Sequence, residues 1–379
     1  MTGGFRAEVR AWLAAHVPAE PLPSLDTAEG FEAHRAWERS LAAARLAVVS
    51  WPVAYGGRDA TLAEWLVFEE EYYAAGGPAR VGQNGLSLLA PTLLESGTQE
   101  QRDRILPPMA AADEIWAQAW SEPDAGSDLA ALRSRGVRVP GGWLVSGTKT
   151  WCSRAAFADR AFGLFRTDPS ASRHRGLSYL LFSLRAPGVT VRPIRQLSGR
   201  TGFAEIFLDE VFVPDRDVVG VPGEGWRIAM STASHERSMS LRSPGRFLAA
   251  ADRLVALWQG SGCDAAAGER VADAWIAARA YQLHTAAIAD RLAAGGALGA
   301  LGAEASLGKV FWSELDLALH ETALELLGPW AEARDGPDGR WLEDYLFALA
   351  GPIYAGTNEI QRTLIAERVL GLPREAPPR

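Results

Sequence analysis

The chain has 379 residues, 48 % of them hydrophobic and 22 % charged, with a formal net charge of −8 and a pI near 5.4. That length and apolar content suffice for two or three cores and exclude a disordered or low-complexity polypeptide. The acidic balance opposes a nucleic-acid surface, which carries a basic excess, and fits a protein that handles discrete anionic ligands locally. Cys152 and Cys263, the two cysteines of the sequence, make no disulfide framework and no paired metal-ligand spacing, so a reducing cytoplasm is expected. Residues 1–10 lack a basic segment followed by an apolar run, and no window approaches ~18 uninterrupted apolar residues. The expectation is a soluble cytoplasmic protein with no membrane partner. The six histidines form no H-E-x-x-H or similar helical pair, so no metal site is predicted.

In chain order, apolar residues at three- and four-residue intervals predict helices over 5–16, 30–44 and 62–75. Thr61 is the expected N-cap of the third, and Gly76-Gly77-Pro78 its stop. From about 115 to 220 the texture changes to short β-branched and aromatic runs at 137–139, 143–145, 178–184, 189–191 and 205–213, broken by turns such as Pro140-Gly141-Gly142. These predict an antiparallel β domain. Helical periodicity returns from Trp226, through 247–258, 269–293, 303–327 and 360–370. The boundaries read as a helical domain over 1–114, a β domain over 115–220 and a second helical domain over 221–379, an α+β chain. The stretch from Gly302 to Lys309 has five residues between its glycines and Val310 after its lysine, so it fails as a phosphate loop and reads as a small-residue helix face. No G-x-G-x-x-G follows a predicted strand, which argues against a dinucleotide bound in Rossmann fashion.

The segment Trp116-Ala117-Gln118-Ala119-Trp120-Ser121-Glu122-Pro123-Asp124-Ala125-Gly126-Ser127-Asp128 gathers Pro, Gly and short polar residues. It reads as a loop whose exposed N–H groups suit a flat heteroaromatic ring and a carbonyl. Downstream, Gly147-Thr148-Lys149-Thr150-Trp151-Cys152-Ser153 places an aromatic and a hydroxyl two residues apart, on one face of an extended segment. Trp151 would back a ring there while Ser153 hydrogen-bonds it. Near the C-terminus runs Pro352-Ile353-Tyr354-Ala355-Gly356-Thr357-Asn358-Glu359-Ile360-Gln361-Arg362.

Taken with Ala158-Asp159, Arg166-Thr167 and Val211-Phe212-Val213-Pro214, these segments resemble the acyl-CoA dehydrogenase family over nearly the whole chain, in order and at family-like spacing. The resemblance implies an N-terminal helical domain, a middle antiparallel β domain and a C-terminal four-helix domain, with FAD at their junction. It implies that Gln118, Ala119, Trp120, Ser121, Gly126 and Ser127 hold the pyrimidine side of the flavin. Trp151, Cys152 and Ser153 would flank its central ring, and Thr357, Asn358 and Glu359 would meet the rest of the cofactor. Ser127, Arg237 and Gly356 are the implied substrate contacts. The substrate would be an acyl-CoA or acyl-carrier-protein thioester, and the electron acceptor an electron-transfer flavoprotein.

The chemistry needs a carboxylate to remove the α proton as the β hydrogen leaves as hydride. Where many members carry that glutamate this chain has Ala355, and a methyl group accepts no proton. Other members supply the glutamate from a C-terminal-domain helix immediately before an arginine, a pattern matched by His235-Glu236-Arg237. Glu236, about three turns past Gly223-Glu224-Gly225-Trp226, is therefore the predicted base, and Pro244 the residue expected to kink or end that helix.

Two interface features of the family are altered. No R-x-x-F-G follows Ser261, and the Q-x-x-G-G segment reads Glu325-Leu326-Leu327-Gly328-Pro329, with Arg270 or Arg279 as stand-ins for the missing arginine. Absence of the motif glutamate, together with these losses, resembles the actinobacterial subgroup built from two homologous chains. The assembly is expected to be a homodimer or tetramer, or such a heterotetramer. Gly85, Ala90 and Ala119 are small enough to leave room for a bulky acyl group. Alternatives from the sequence are an oxidase or flavin monooxygenase on the same fold, and a non-catalytic subunit that completes a partner.

Overall fold

The computed structural model describes residues 2–237, 243–262, 265–295, 302–333 and 339–374. Helices α1 (Thr2–His16), α2 (Ala28–Ala43), α3 (Leu62–Ala74), α4 (Ala90–Ser96) and α5 (Gln99–Ala110) come first. Strands follow: β1 (Trp116–Ala119), β2 (Arg135–Val139), β3 (Gly142–Ser153), β4 (Arg160–Arg166), β5 (Leu177–Ser183), β6 (Val189–Ile194), β7 (Phe203–Pro214) and β8 (Val218–Val219). Helices α6 (Gly225–Arg237), α7 (Pro244–Gly260), α8 (Ala265–Ala293), α9 (Gly302–Leu327), α10 (Gly339–Ala348) and α11 (Asn358–Arg368) complete the order, which is that of an α+β chain.

Packing divides the chain into two compact units. One comprises Pro18–Ala60 with Pro78–Glu236, and the other Met1–Val17, Thr61–Gly77 and Arg237–Arg379. α2, α4 and α5 thus group with the sheet, whereas α1 and α3 group with the C-terminal helices.

In the first unit the sheet runs β6-β7-β3-β2-β4-β5-β8. Most pairings are antiparallel, but β1 lies parallel to β4, with Trp116 opposite Arg160 and Ala119 opposite Gly163. Parallel neighbours need a crossover, and here the chain between them supplies β2 and β3. Along β7 burial alternates, with Ala204, Ile206 and Leu208 inward, as a one-faced strand requires. β5 is buried from Leu177 through Phe182, and its rings meet those of β4, Phe162 stacking on Tyr179 at 5.9 Å. α2 starts at Thr27, whose side chain accepts from Gly30 N at 3.0 Å. Gly30 is required by close approach, since a Cβ there would sit 1.9 Å from Ser24 O.

In the second unit Phe247, Leu254, Tyr281, Trp312, Leu319 and Trp341 form a core shared by α7, α8, α9 and α10. α3 opens with the expected Thr61 cap, completed as a capping box by Glu64. Arg6 and Arg10 of α1 bind Glu71 of α3 at 2.5 Å and 2.8 Å. α7 approaches α3 so closely at Gly245 that a Cβ would meet Glu69 O at 2.6 Å. Pro244, expected to kink or end the helix that carries Glu236, belongs to the next helix, and the end of α6 lies outside the described residues. The proline is the first residue of α7, where its missing N–H has no partner to lose.

Candidate active site

The sequence treats residues 116–128 as one loop, but their first four form β1, buried between neighbours except at Gln118. A strand this short, in a sequence rich in Trp and Ala, has little β signature until β4 pairs with it. Ala119 is fully buried in the sheet core and Trp120 nearly so, its ring edge-on to Tyr179 at 6.3 Å. Their side chains pack into the interior of the unit. Beyond them the chain makes a tight turn in which Glu122 and Ala125 exchange both backbone hydrogen bonds at 3.0 Å. Gly126 and Ser127 follow, exposed.

A buried ion pair fixes this turn. Lys149 of β3, with no exposed surface, donates to Glu122 Oε1 at 2.8 Å, to Leu164 O at 2.7 Å and to Trp120 O at 3.3 Å. Glu122 also accepts from Arg133 N at 2.6 Å and Ser134 N at 2.9 Å. Burial opposes the charge on Glu122, but the Lys149 charge and these donors outweigh it and hold the carboxyl below its ordinary value. Sequence reading passes over both residues as site components, because a lysine in an alternating strand looks like a solvated side chain.

β3 meets the loop directly, Thr150 N donating to Ser121 O at 2.9 Å. The strand is not evenly extended there: its register with β7 shifts between Lys149 and Cys152, and Trp151 has φ +57°. This bulge leaves the Trp151 indole 58 % exposed, touching Phe203 edge-on at 6.0 Å. Ser153 is half-buried, and Cys152 between them points into the core. Burial pushes the Cys152 thiol up to about 12, so it stays a neutral thiol rather than a nucleophilic thiolate. A left-handed tryptophan with an exposed ring is backbone strain of the kind found at binding sites.

In the second unit Tyr354 stacks on Trp312 at 5.8 Å, and Ala355 and Gly356 follow with φ +57° and +80°. Gly356 accordingly suits its backbone, whatever else it contacts. Thr357 caps α11 by accepting from Ile360 N at 3.3 Å. Asn358 corrects the cofactor reading for its side chain: it is buried, its oxygen accepting from Lys309 at 2.7 Å and Ser313 at 3.1 Å. Glu359 is exposed, and its own backbone N–H, then Thr357, hold its carboxyl below the ordinary value. Gln361 donates to Ala355 O at 3.3 Å and Gly356 O at 3.4 Å, steadying the two left-handed residues.

Glu236 and Arg237 are the last two described residues of α6. Their side chains, and Cys263, lie outside the described residues. Of the two arginines weighed as stand-ins, Arg270 pairs with Glu325 at 2.5 Å. Arg279 bonds Gln282 at 2.7 Å and lies over the Trp275 ring. Gly85, Ala90 and Ala119 are all buried in the first unit. The last two are fully buried, and a Cβ on Gly85 would meet Met109 Sδ at 3.1 Å and Trp116 Cβ at 3.3 Å.

Residues 3–113 match the acyl-CoA dehydrogenase N-terminal domain, 117–211 the middle domain and 223–370 the C-terminal domain. The chain belongs to the acyl-CoA dehydrogenase family. It is 40 % identical over 384 residues to acyl-CoA dehydrogenase IpdE1 of Mycobacterium tuberculosis, covering 98 % of each chain. Cyclohexane-1-carbonyl-CoA dehydrogenase of Geobacter metallireducens is 30 % identical over 73 % of this chain and 74 % of its own. Among solved structures, the ChsE4-ChsE5 complex from Mycobacterium tuberculosis superposes with a TM-score of 0.86 at 28 % identity, over 99 % of this chain and 98 % of the other.

Proposed function

We propose that Glu236 removes the α proton of an acyl-CoA thioester in an FAD-dependent α,β-dehydrogenation, and that a second homologous chain completes the flavin site. The observation that carries the reading is the exposed, left-handed Trp151 on β3, bonded through its neighbour Thr150 to the loop that leads to Gly126 and Ser127. That loop fits a flat ring closely approached by backbone. Gly126 has no positive φ, and a Cβ there would meet no protein atom within 4 Å. The fold itself makes no demand for glycine at this position, whereas a ligand lying against the backbone does.

On this reading the backbone of Gln118, Ala119, Trp120 and Ser121, with Gly126 and Ser127, holds the pyrimidine side, and Trp151 and Ser153 flank the central ring. Thr357 and Glu359 meet the remainder of the cofactor. Bound FAD supplies the acceptor for the β hydrogen as hydride, and an electron-transfer flavoprotein would reoxidise it. Glu236 takes the α proton because Ala355 has no basic atom. Ser127, Arg237 and Gly356 are the substrate contacts, with Arg237 adjoining the base in sequence.

The second chain is supported by the altered half-site. Glu325 replaces a neutral residue, and its carboxylate engages Arg270, so that cation is already neutralised by an anion of its own chain. Pro329 is the second residue of a short 3₁₀ turn, Gly328–Glu332, where the family pattern has glycine. The structural relative ChsE4-ChsE5 is itself a complex. Purified alone, the protein is expected to carry well under one FAD per chain. Co-expressed with a homologous dehydrogenase chain, it should bind FAD and co-elute with that chain. Stoichiometric FAD in a homo-oligomer would sink the shared-site reading.

A further inference from the structure

Residues 231–235 of α6 are tied to α4 on one side by three polar contacts. Thr92 Oγ1 and Thr232 Oγ1 lie 2.7 Å apart, both fully buried. Ser231 Oγ donates to Glu95 Oε2, and His235 Nε2 lies 3.0 Å from Glu95 Oε1. One carboxylate therefore bridges two α6 side chains four positions apart, a full turn of the helix. α4 is a firm anchor: Ala90, Thr92 and Leu93 are buried, and the π-helical turn Gly85–Leu89 runs directly into it. α6 in turn buries Ile228, Ala229 and Ala233.

We propose that Glu95 and His235 are positioning residues for the base, holding the turn of α6 at residues 231–235 so that position 236 is presented in one fixed place. The inference rests on Glu236 being the base. It follows from where the contacts fall. A helix turn held by few contacts opens more readily than one tied to a buried element. Here the residue next to Glu236 is bonded to an element that is itself buried, and position 236 lies one turn beyond Thr232, another of the tied residues. Proton abstraction tolerates little displacement: about 1 Å of misplacement costs roughly 100-fold in rate. The carboxylate of Glu95 suits the task because it accepts from two donors at once. The bond from His235 holds its carboxyl below the ordinary value, against the opposing effect of burial.

The test compares Glu95→Ala, Glu95→Gln and Glu236→Gln with the wild type, each as the FAD-loaded protein with its partner chain where loading requires it. Amide hydrogen exchange over residues 231–237 is read by mass spectrometry. Anaerobic flavin reduction is read with butyryl-, octanoyl- and cyclohexane-1-carbonyl-CoA. Glu95→Ala is expected to speed exchange over that segment at least about tenfold and to slow flavin reduction about 100-fold, with thioester affinity and FAD content unchanged. Glu95→Gln, which keeps the shape and one acceptor, should restore most of both. Unchanged exchange in Glu95→Ala overturns the proposal whether or not any thioester reacts. So does faster exchange with an unaltered reduction rate. If Glu236→Gln reduces its flavin normally, the base assignment fails separately, and the exchange result still judges the tie.

Discussion

Glu236→Gln is expected to lower the rate of flavin reduction by substrate roughly 10 000-fold, the upper range for loss of a general base, while FAD remains bound. The glutamine keeps the size of the side chain and removes its basicity, so the loss would lie in the chemical step. The sequence leaves few competitors for the role. Ala355 stands where many relatives have their glutamate, and it adopts φ +57°, beside Gly356 at φ +80°. Rapid-mixing spectroscopy of the loaded variant measures the rate. A reduction rate within a few-fold of wild type would remove Glu236 from the mechanism.

Lys149→Met should be the most damaging single change to the fold of the sheet unit, lowering unfolding free energy by about 3–5 kcal/mol. It leaves the Glu122 carboxylate, 8 % exposed, without the cation that faces it. The sign of the pH dependence follows from the depressed value of Glu122. A carboxyl held below its unfolded value adds stability that is fully present above that unfolded value and is lost as pH falls through the folded one. The deficit of Lys149→Met should therefore be large at neutral pH and shrink toward roughly pH 4, where the unfolded carboxyl begins to protonate. Adding Glu122→Gln should recover part of the loss, because a neutral amide costs less to bury than an unpaired charge. Urea unfolding at the two pH values decides this. A cost below about 1 kcal/mol for the single variant would show the pair to be dispensable.

Much of the architecture is legible in the sequence, and for definite reasons. Thr61 and Glu64 form a capping box, and Pro140-Gly141 makes the turn into β3 with Gly141 at φ +78°, so local chemistry alone locates those boundaries. α5 escapes a periodicity reading because Pro107 and Pro108 sit inside it and read as breakers, although its Thr98 cap is intact. β1 escapes because its strand character comes from pairing with β4, a contact distant in sequence. At the site, sequence motifs single out Trp151 and Ser153, but the bulge that exposes the indole depends on a register shift against β7 that no local pattern encodes. Asn358 shows the opposite error: it lies within a ligand motif, yet its side chain serves Lys309 and Ser313 inside the helical unit. The Glu95 contacts with Ser231 and His235 join positions more than a hundred residues apart, beyond what spacing can show.

The most direct measurement is anaerobic mixing of the FAD-loaded wild-type protein with butyryl-, octanoyl- and cyclohexane-1-carbonyl-CoA, followed by the flavin spectrum and the mass of the recovered thioester. At least one of them is expected to bleach the flavin and return two hydrogens lighter, as the α,β-unsaturated thioester. Flavin that stays oxidised with all three, beside thioesters recovered at unchanged mass, would contradict that expectation.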